Sequence, residues 1–291
     1  MWVLLLVSVA GFFAQLVDGA MGMAFGITST TLLIFLAYSP AAASAIVHFA
    51  EIVTSSISGF AHIKFGNVDW HALVKVAVPG AVGAFIGAIL LSFVDLSAAR
   101  PWTATILLTL GALVLYRFTR PMILGKKRRA RARWLAPLGL AGGFIDATGG
   151  GGWGPVVTTS LTASNALEPR KAIGTTNTAE FLIATSASLG FVIGFGANDI
   201  AIPWDAVLAL LIGGGLAAPI AAWLVSKAPQ RLLGILVGNL IIALNIRQLS
   251  ISFELGETVS WALYILVALL FVATLIHGFN LLKTDRLPKT D

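Results

Sequence analysis

The chain has 291 residues, 57% of them hydrophobic and only 11% charged, with a mean hydropathy of +0.91. Soluble domains run at roughly 45–50% apolar and about 25% charged, so this composition excludes a soluble globular protein. Cysteine is absent, which excludes disulfides and thiolate metal sites, and the net charge of +6 has to be explained by where the basic residues lie.

The chain opens on Trp2-Val3-Leu4-Leu5-Leu6-Val7 with no Lys or Arg before it and a second apolar run directly after, so it reads as a retained first helix rather than a signal peptide. Residues 2 to 38 are too long for one span and are broken by Asp18-Gly19-Ala20-Met21-Gly22. Apolar runs bounded by Gly, Pro and charge then predict spans over 41–62, 71–93 and 101–118. A basic segment follows, and after it residues 134 to 167 repeat the broken pattern around Asp146-Ala147-Thr148-Gly149-Gly150-Gly151-Gly152. Further spans are predicted over 171–195, 203–226, 231–248 and 258–281. Each broken piece is either a re-entrant pair of half-helices or two closely joined spans. The fold class is an all-α integral membrane protein, a bundle of about eight transmembrane helices at roughly 20 apolar residues per span.

Arg117, Arg120, Lys126, Lys127, Arg128, Arg129, Arg131 and Arg133 occupy one short segment without an acid, and such loops stay cytoplasmic. Counting outward from it, Lys64, Lys75, Arg170, Lys171, Lys227, Arg231, Lys283, Arg286 and Lys289 fall on the same side, and only Arg100 and Arg247 fall outside. The positive charge is therefore accounted for by topology. With no aromatics interleaved between Lys126 and Arg133, a nucleic-acid partner is not expected; the bilayer is.

Laid against itself at an offset near 128 residues, the chain pairs Asp18 with Asp146, Gly22 with Gly150, Phe25 with Trp153 and Gly26 with Gly154. One residue further out of step, Pro40 meets Pro169, Ala43 meets Ala172, and Ala50-Glu51 meets Ala179-Glu180. With small gaps the series continues through Gly59-Phe60 and Gly190-Phe191, Trp70 and Trp204, Gly80 and Gly214, and Ser92 and Ser226. Three simple spans plus the broken pair separate the two starts, so the second copy enters the membrane from the opposite side. The expected organisation is an inverted repeat over 1–118, a basic cytoplasmic loop over 119–133, the second repeat over 134–248, and an extra C-terminal helix with a short tail over 249–291.

A broken helix is tolerated at membrane depth only where it is buried in protein or lines a polar cavity, and matched breaks in two inverted halves point to a midplane solute site. The candidate binding residues are Gly150, Gly151, Gly152, Trp153 and Gly154, with Gly22 and Gly26 from the first break. Pro155 opens a helix whose positive end suits an anion; the same glycines equally serve close helix packing. Asp18, Asp146, Glu51 and Glu180 stand in apolar surroundings, where an ionisable group is by default functional. They are candidates for proton coupling, with helix capping by the aspartates as the competing reading. His48 lies one turn before Glu51 on the same face, and its counterpart is Asn177. Thr175, Thr176 and Asn177 complete the candidate set as donors to oxyanion oxygens. No metal spacing, catalytic triad or phosphate loop is present, so neither a cofactor nor an enzymatic activity is expected.

The two breaks, the Pro40 and Pro169 turns, the stretch Ala172-Ile173-Gly174-Thr175-Thr176-Asn177 and the central basic loop together resemble the sulfite exporter TauE/SafE family, within the toluene sulfonate uptake permease superfamily. The resemblance covers essentially the whole chain, although Ile27 stands near where the second copy has Pro155. It implies a secondary transporter of small sulfur-containing anions, sulfite or organosulfonates, in a bacterial inner membrane. Alternating access with proton coupling is the mechanism that the inverted halves and buried acids favour. An intramembrane enzyme and a non-transporting membrane assembly factor are the alternatives.

Overall fold

The computed structural model describes residues 2–21, 23–120, 132–164, 166–225 and 229–285. Gly22, most of the central basic loop (Lys126, Lys127, Arg128, Arg129 and Arg131), Ser226, Lys227, Arg286 and Lys289 lie outside the described residues. The described residues form helices and no strand: α1 (Trp2–Met21), α2 (Phe25–Phe35), α3 (Pro40–Lys64), α4 (Trp70–Phe93), α5 (Leu96–Phe118) and α6 (Ala132–Gly149), then a π turn (Gly154–Thr158) running into α7 (Thr159–Ala163), then α8 (Pro169–Ala197), α9 (Trp204–Val225), α10 (Gln230–Ser252) and α11 (Glu257–Asp285).

Six of these, α3, α4, α5, α8, α10 and α11, are long and apolar enough to cross a bilayer. Shorter apolar stretches fill Trp2–Asp18, Phe25–Phe35 and Trp204–Ala218. At about 1.5 Å per residue, the 11-residue α2 reaches roughly half of a 30 Å hydrocarbon layer. The π turn and α7 together are of similar reach, so each broken piece contains a half-length helix.

Local chemistry sets the helix ends. Ser39 caps α3 by accepting from Ala42 N–H at 3.2 Å, and Pro40 takes the first helical position, where its missing N–H costs nothing. Pro169 does the same for α8. Asp69 caps α4 through Ala72 N–H at 2.9 Å. The start of α5 differs most from expectation: it lies at Leu96 rather than beside Pro101, because the Asp95 carbonyl accepts from Ala98 and Ala99 N–H at 3.0 and 2.8 Å and closes a first turn before the proline is reached; α10 and α11 also run on to Ser252 and Asp285, past the expected 248 and 281.

Packing follows small residues. α1 lies along α9 and α6 lies along α4, while α3 meets α8 and α5 meets α10. A methyl group at Gly11 would fall on the Leu210 carbonyl, one at Gly213 on that of Ser8, one at Gly139 on that of Val76, and one at Gly143 on that of Gly80. These helices touch backbone to backbone, as small-residue stripes permit in membranes. The apolar interior forms two main clusters. One joins α1, α2, α3, α5, α9 and α10 around Leu33, Ile46 and Leu210; the other joins α3, α4, α6 and α8 around Trp153, Leu161, Ile183 and Phe191. Large apolar side chains such as Trp70, Leu208, Ile212 and Trp261 point outward, where lipid tails replace water as solvent. α11 packs chiefly on α10, with Val267 against the cluster of Leu115, Ile235 and Ile242, and buries little.

Candidate functional site

The two breaks are built alike. Asp18 sits in the last turn of α1, and its Oδ1 accepts from the N–H groups of Ala24 at 2.8 Å and Phe25 at 3.2 Å. Asp146 sits in the last turn of α6, and its Oδ1 accepts from Gly152 at 2.6 Å and Trp153 at 2.8 Å. Each carboxylate thus crosses its own gap to satisfy donors at the start of the next helix, which would otherwise be orphaned in an apolar medium. The capping arrangement that the sequence allowed is present at both positions.

The breaks then meet. A Cβ on Gly26 would lie 2.6 Å from Gly151 Cα and 2.8 Å from Glu51 Oε1, and a Cβ on Gly154 would lie 2.9 Å from Met23 Cβ. Gly151 has φ of +131°, a conformation essentially reserved for glycine. Thr30 of α2 donates its hydroxyl to the Gly150 carbonyl, tying the first half-helix to the second break. Trp153 is fully buried and its indole N–H donates to the Thr176 carbonyl at 3.0 Å.

A cavity of about 390 Å³ opens at this junction. Gly26, Gly151, Gly152, Trp153, Gly154 and Pro155 line it from the breaks, and Asp18, Asp146, Glu51 and Glu180 supply four carboxyl groups. Helix α3 adds Thr54, Ser55, Ser58 and His62, and α8 adds Ile173 and Asn177; Gln15, Met23, Phe25 and Ile27 complete the wall. Asn177 Nδ2 stands 3.5 Å from Ser58 Oγ and 3.4 Å from His62 Nε2, long contacts that leave its amide available to a guest. No described Lys or Arg lines the cavity. Arg117 reaches the cavity's edge through its guanidinium, which rests on the lining residue Met23 at Sδ and on Thr159 Oγ1.

His48 stands behind the wall. Its Nε2 is 3.1 Å from Asp146 Oδ2, its Nδ1 is 2.8 Å from the Ser44 carbonyl, and the ring is wholly buried. Ser44 Oγ in turn donates to the Ala147 carbonyl at 2.6 Å, fastening α3 to α6 beside the break. Glu51 is 4% exposed, and its Oε2 has no partner among the described residues. Donor atoms of His48, Glu51 and Asp146 gather within 4.8 Å of one another. Two of the three are already bonded to each other, so the arrangement is that of a hydrogen-bonded cluster.

Most of the residues expected from the sequence come together here, but not all. Gly150 contributes through its carbonyl and His48 through Asp146, neither lining the cavity itself. Thr175 and Thr176 are directed elsewhere: Thr175 Oγ1 accepts from Asp69 N–H at 2.9 Å, and Thr176 Oγ1 pairs with Thr158 Oγ1 at 2.7 Å and donates to the Ala172 carbonyl. Both serve helix joints. Thr54, Ser55, Ser58 and His62 were missed, yet their spacing from Glu51 is the helical i+3, i+4, i+7 and i+11 stripe of one face.

Residues 7–247 match the family model described as Sulfite exporter TauE/SafE. The chain is 45% identical over 283 residues to the Bacillus subtilis (strain 168) protein named "Probable membrane transporter protein YtnM", covering 94% of each chain. A second Bacillus subtilis protein, named "Probable membrane transporter protein YdhB", is 29% identical over 181 residues, which is 60% of this chain and 71% of that one. No solved structure matches the chain. The chain belongs to the TauE/SafE sulfite exporter family, a family of membrane transporters rather than enzymes.

Proposed function

We propose that the chain is a secondary carrier of small sulfur-containing anions, sulfite or organosulfonates, that works by alternating access of two inverted halves, 1–118 and 134–248. The observation that carries this reading is the pair of carboxylate-capped breaks meeting at Gly26 and Gly151 over one cavity. The positive ends of two half-helices converge there, which favours an anionic group. Asn177 and Ser58 offer neutral donors around it, whereas the Ser55 hydroxyl is committed to the Glu51 carbonyl.

The inverted repeat is supported by exchanged contacts. The offset that pairs Asp18 with Asp146 carries Gly11 onto Gly139, and the offset that pairs Gly80 with Gly214 carries Val76 onto Leu210; Gly11 packs on Leu210 and Gly139 packs on Val76. The same exchange relates Gly26 against Gly151 to Gly154 against Met23, and Trp153 over Gly80 to Phe25 over Gly214. Contacts that map onto one another under a swap of halves are what a pseudo-two-fold axis produces. The buried carboxyl groups Glu51 and Glu180 are the proton-coupling positions in this reading, with the basic loop and C-terminus on the cytoplasmic side of a bacterial inner membrane.

The test is counterflow in proteoliposomes containing the purified chain, against sulfite, thiosulfate, sulfoacetate, taurine and plain carboxylates. Saturable exchange of one or more sulfur-containing solutes is expected, with carboxylates excluded. Absence of counterflow for every sulfur compound refutes the carrier reading, and equal exchange of carboxylates refutes the substrate class.

A further inference from the structure

The charge of the cavity does not suit an anion unaided. Four carboxyl groups line it and no described Lys or Arg offsets them. An anion brought among ionised carboxylates in a medium of low dielectric is repelled by each of them. Asp18 and Asp146 each direct one oxygen to two backbone N–H groups, whereas Glu51 has a buried oxygen with no partner among the described residues.

The His48 contacts specify where a proton sits. A carbonyl oxygen only accepts, so the 2.8 Å contact with Ser44 fixes the hydrogen on Nδ1. In neutral imidazole Nε2 is then an acceptor, and it faces another acceptor, Asp146 Oδ2, at 3.1 Å. That contact is a hydrogen bond only if one further proton lies between the two, as an imidazolium–carboxylate pair or as neutral histidine with a protonated acid. Glu51 brings a carboxyl oxygen within 4.8 Å of a ring nitrogen of His48 and a carboxyl oxygen of Asp146, and unlike His48 it lines the cavity. The other titratable groups on this cavity are Asp18 from α1, Glu180 from α8 and His62 from α3 itself. The lining residues of α2, Phe25, Gly26 and Ile27, carry no charge, and α4, α5 and α9 contribute none.

We propose that His48, Asp146 and Glu51 form a proton-binding site that loads together with the solute, so that the anion crosses with at least one proton in the same direction. The proton shared by His48 and Asp146 stays with the break, and Glu51 takes up the travelling proton from the water-filled side. Glu51 releases it to the opposite side once the anion has left. This rests on the carrier reading above and adds which groups hold the coupled proton and the obligatory direction in which it travels.

The experiment uses the full chain in proteoliposomes with radiolabelled sulfoacetate and thiosulfate, membrane voltage clamped, and a gradient of one pH unit imposed. The parent is expected to accumulate solute about tenfold more per coupled proton when the interior is alkaline, with entrapped pH dye reporting acidification as solute enters. In Glu51→Gln the ratio of accumulation with and without the gradient is expected to fall to about one, whatever rate remains. His48→Gln is expected to reduce the same ratio. Because the free Glu51 oxygen has no bond to lose, Glu51→Gln carries the test even if His48→Gln fails to fold by gel filtration. A parent that exchanges solute but ignores the pH gradient, that requires an added metal or sodium ion, or whose Glu51→Gln variant keeps the tenfold response overturns the proposal while leaving the carrier reading standing. A parent without any counterflow overturns both.

Discussion

Replacing Asp146 by alanine tests the break architecture most directly. The change removes two hydrogen bonds from a carboxylate to buried N–H groups, at 2.6 and 2.8 Å, each worth about 1.5–3 kcal/mol where one partner is charged. It also strands His48 Nε2, which is fully buried, at a further cost of about 1–3 kcal/mol. The groups share one network and do not add strictly, so the expected loss is roughly 4–8 kcal/mol, a large part of the 5–15 kcal/mol typical of a folded chain. Asp18→Ala removes two bonds of 2.8 and 3.2 Å from a part-buried carboxylate with no histidine behind it, and about 2–4 kcal/mol is expected. Thermal or denaturant unfolding of the two variants in detergent measures the difference, and Asp146→Asn, which keeps an oxygen for the N–H groups, is expected to fall between parent and Asp146→Ala. If Asp146→Ala and Asp18→Ala unfold together, the assignment of His48 and Asp146 to one buried network is wrong.

Gly151→Ala puts a side chain at φ of +131° and against Gly26, and is expected to cost roughly 2–6 kcal/mol from backbone strain and overlap together; Gly215→Ala, which meets nothing within 4 Å, is expected to leave the melting midpoint unchanged or slightly raised. Glu180→Gln removes a cavity carboxyl that reaches in from α8, and is expected to flatten the pH dependence of counterflow while leaving the protein folded; an unchanged profile removes Glu180 from the coupling scheme. Asn177→Ala loses only contacts of 3.4 and 3.5 Å, so weaker apparent affinity without loss of thermal stability is expected. Thr175→Val orphans the Asp69 N–H, and a stability loss of about 1–3 kcal/mol with unaltered solute affinity is expected in unfolding and counterflow titrations.

The sequence makes the breaks legible because apolar spans tolerate an acid followed by glycines only for a reason, and the recurrence of Asp18 at Asp146 marks both. Their function as caps also follows from spacing, since a carboxylate at the end of one helix is within reach of N–H groups six and seven residues on. The misplacement of Thr175 and Thr176 arose from reading a polar cluster as a unit. At about 100° per residue, Ile173, Asn177 and Glu180 share one face of α8, while Thr175 and Thr176 are turned away by half a turn and a quarter turn. Ser58 and His62 were hidden for the opposite reason: hydroxyls in membrane helices usually bond to the preceding turn, and only the helical stripe anchored on Glu51 separates them from that background. Contacts between the two parts of the chain, such as Thr30 with Gly150 or His48 with Asp146, join residues 120 and 98 positions apart, and no local pattern encodes them.

The glycine joints between α1 and α9 and between α4 and α6 carry a mechanical consequence. A helix seated with its glycines on a neighbour's carbonyl oxygens, as Gly11 is on Leu210 and Gly143 on Gly80, cannot slide along that neighbour by one residue without driving a larger side chain into the backbone. Each pair is therefore a keyed beam that turns as one body, and it crosses from one half of the chain to the other. In the proposed alternating-access cycle the hinge has to lie away from these seams and from α5–α10, where a methyl group at Gly238 would meet Leu115 N and the Gly111 carbonyl at 3.0 and 3.1 Å; the α3–α8 contact, where one at Gly59 would meet Thr178 Cα at 3.2 Å, is less tightly keyed. A crosslink placed within a beam would leave such a machine running, and one placed across α3 and α8 would stop it.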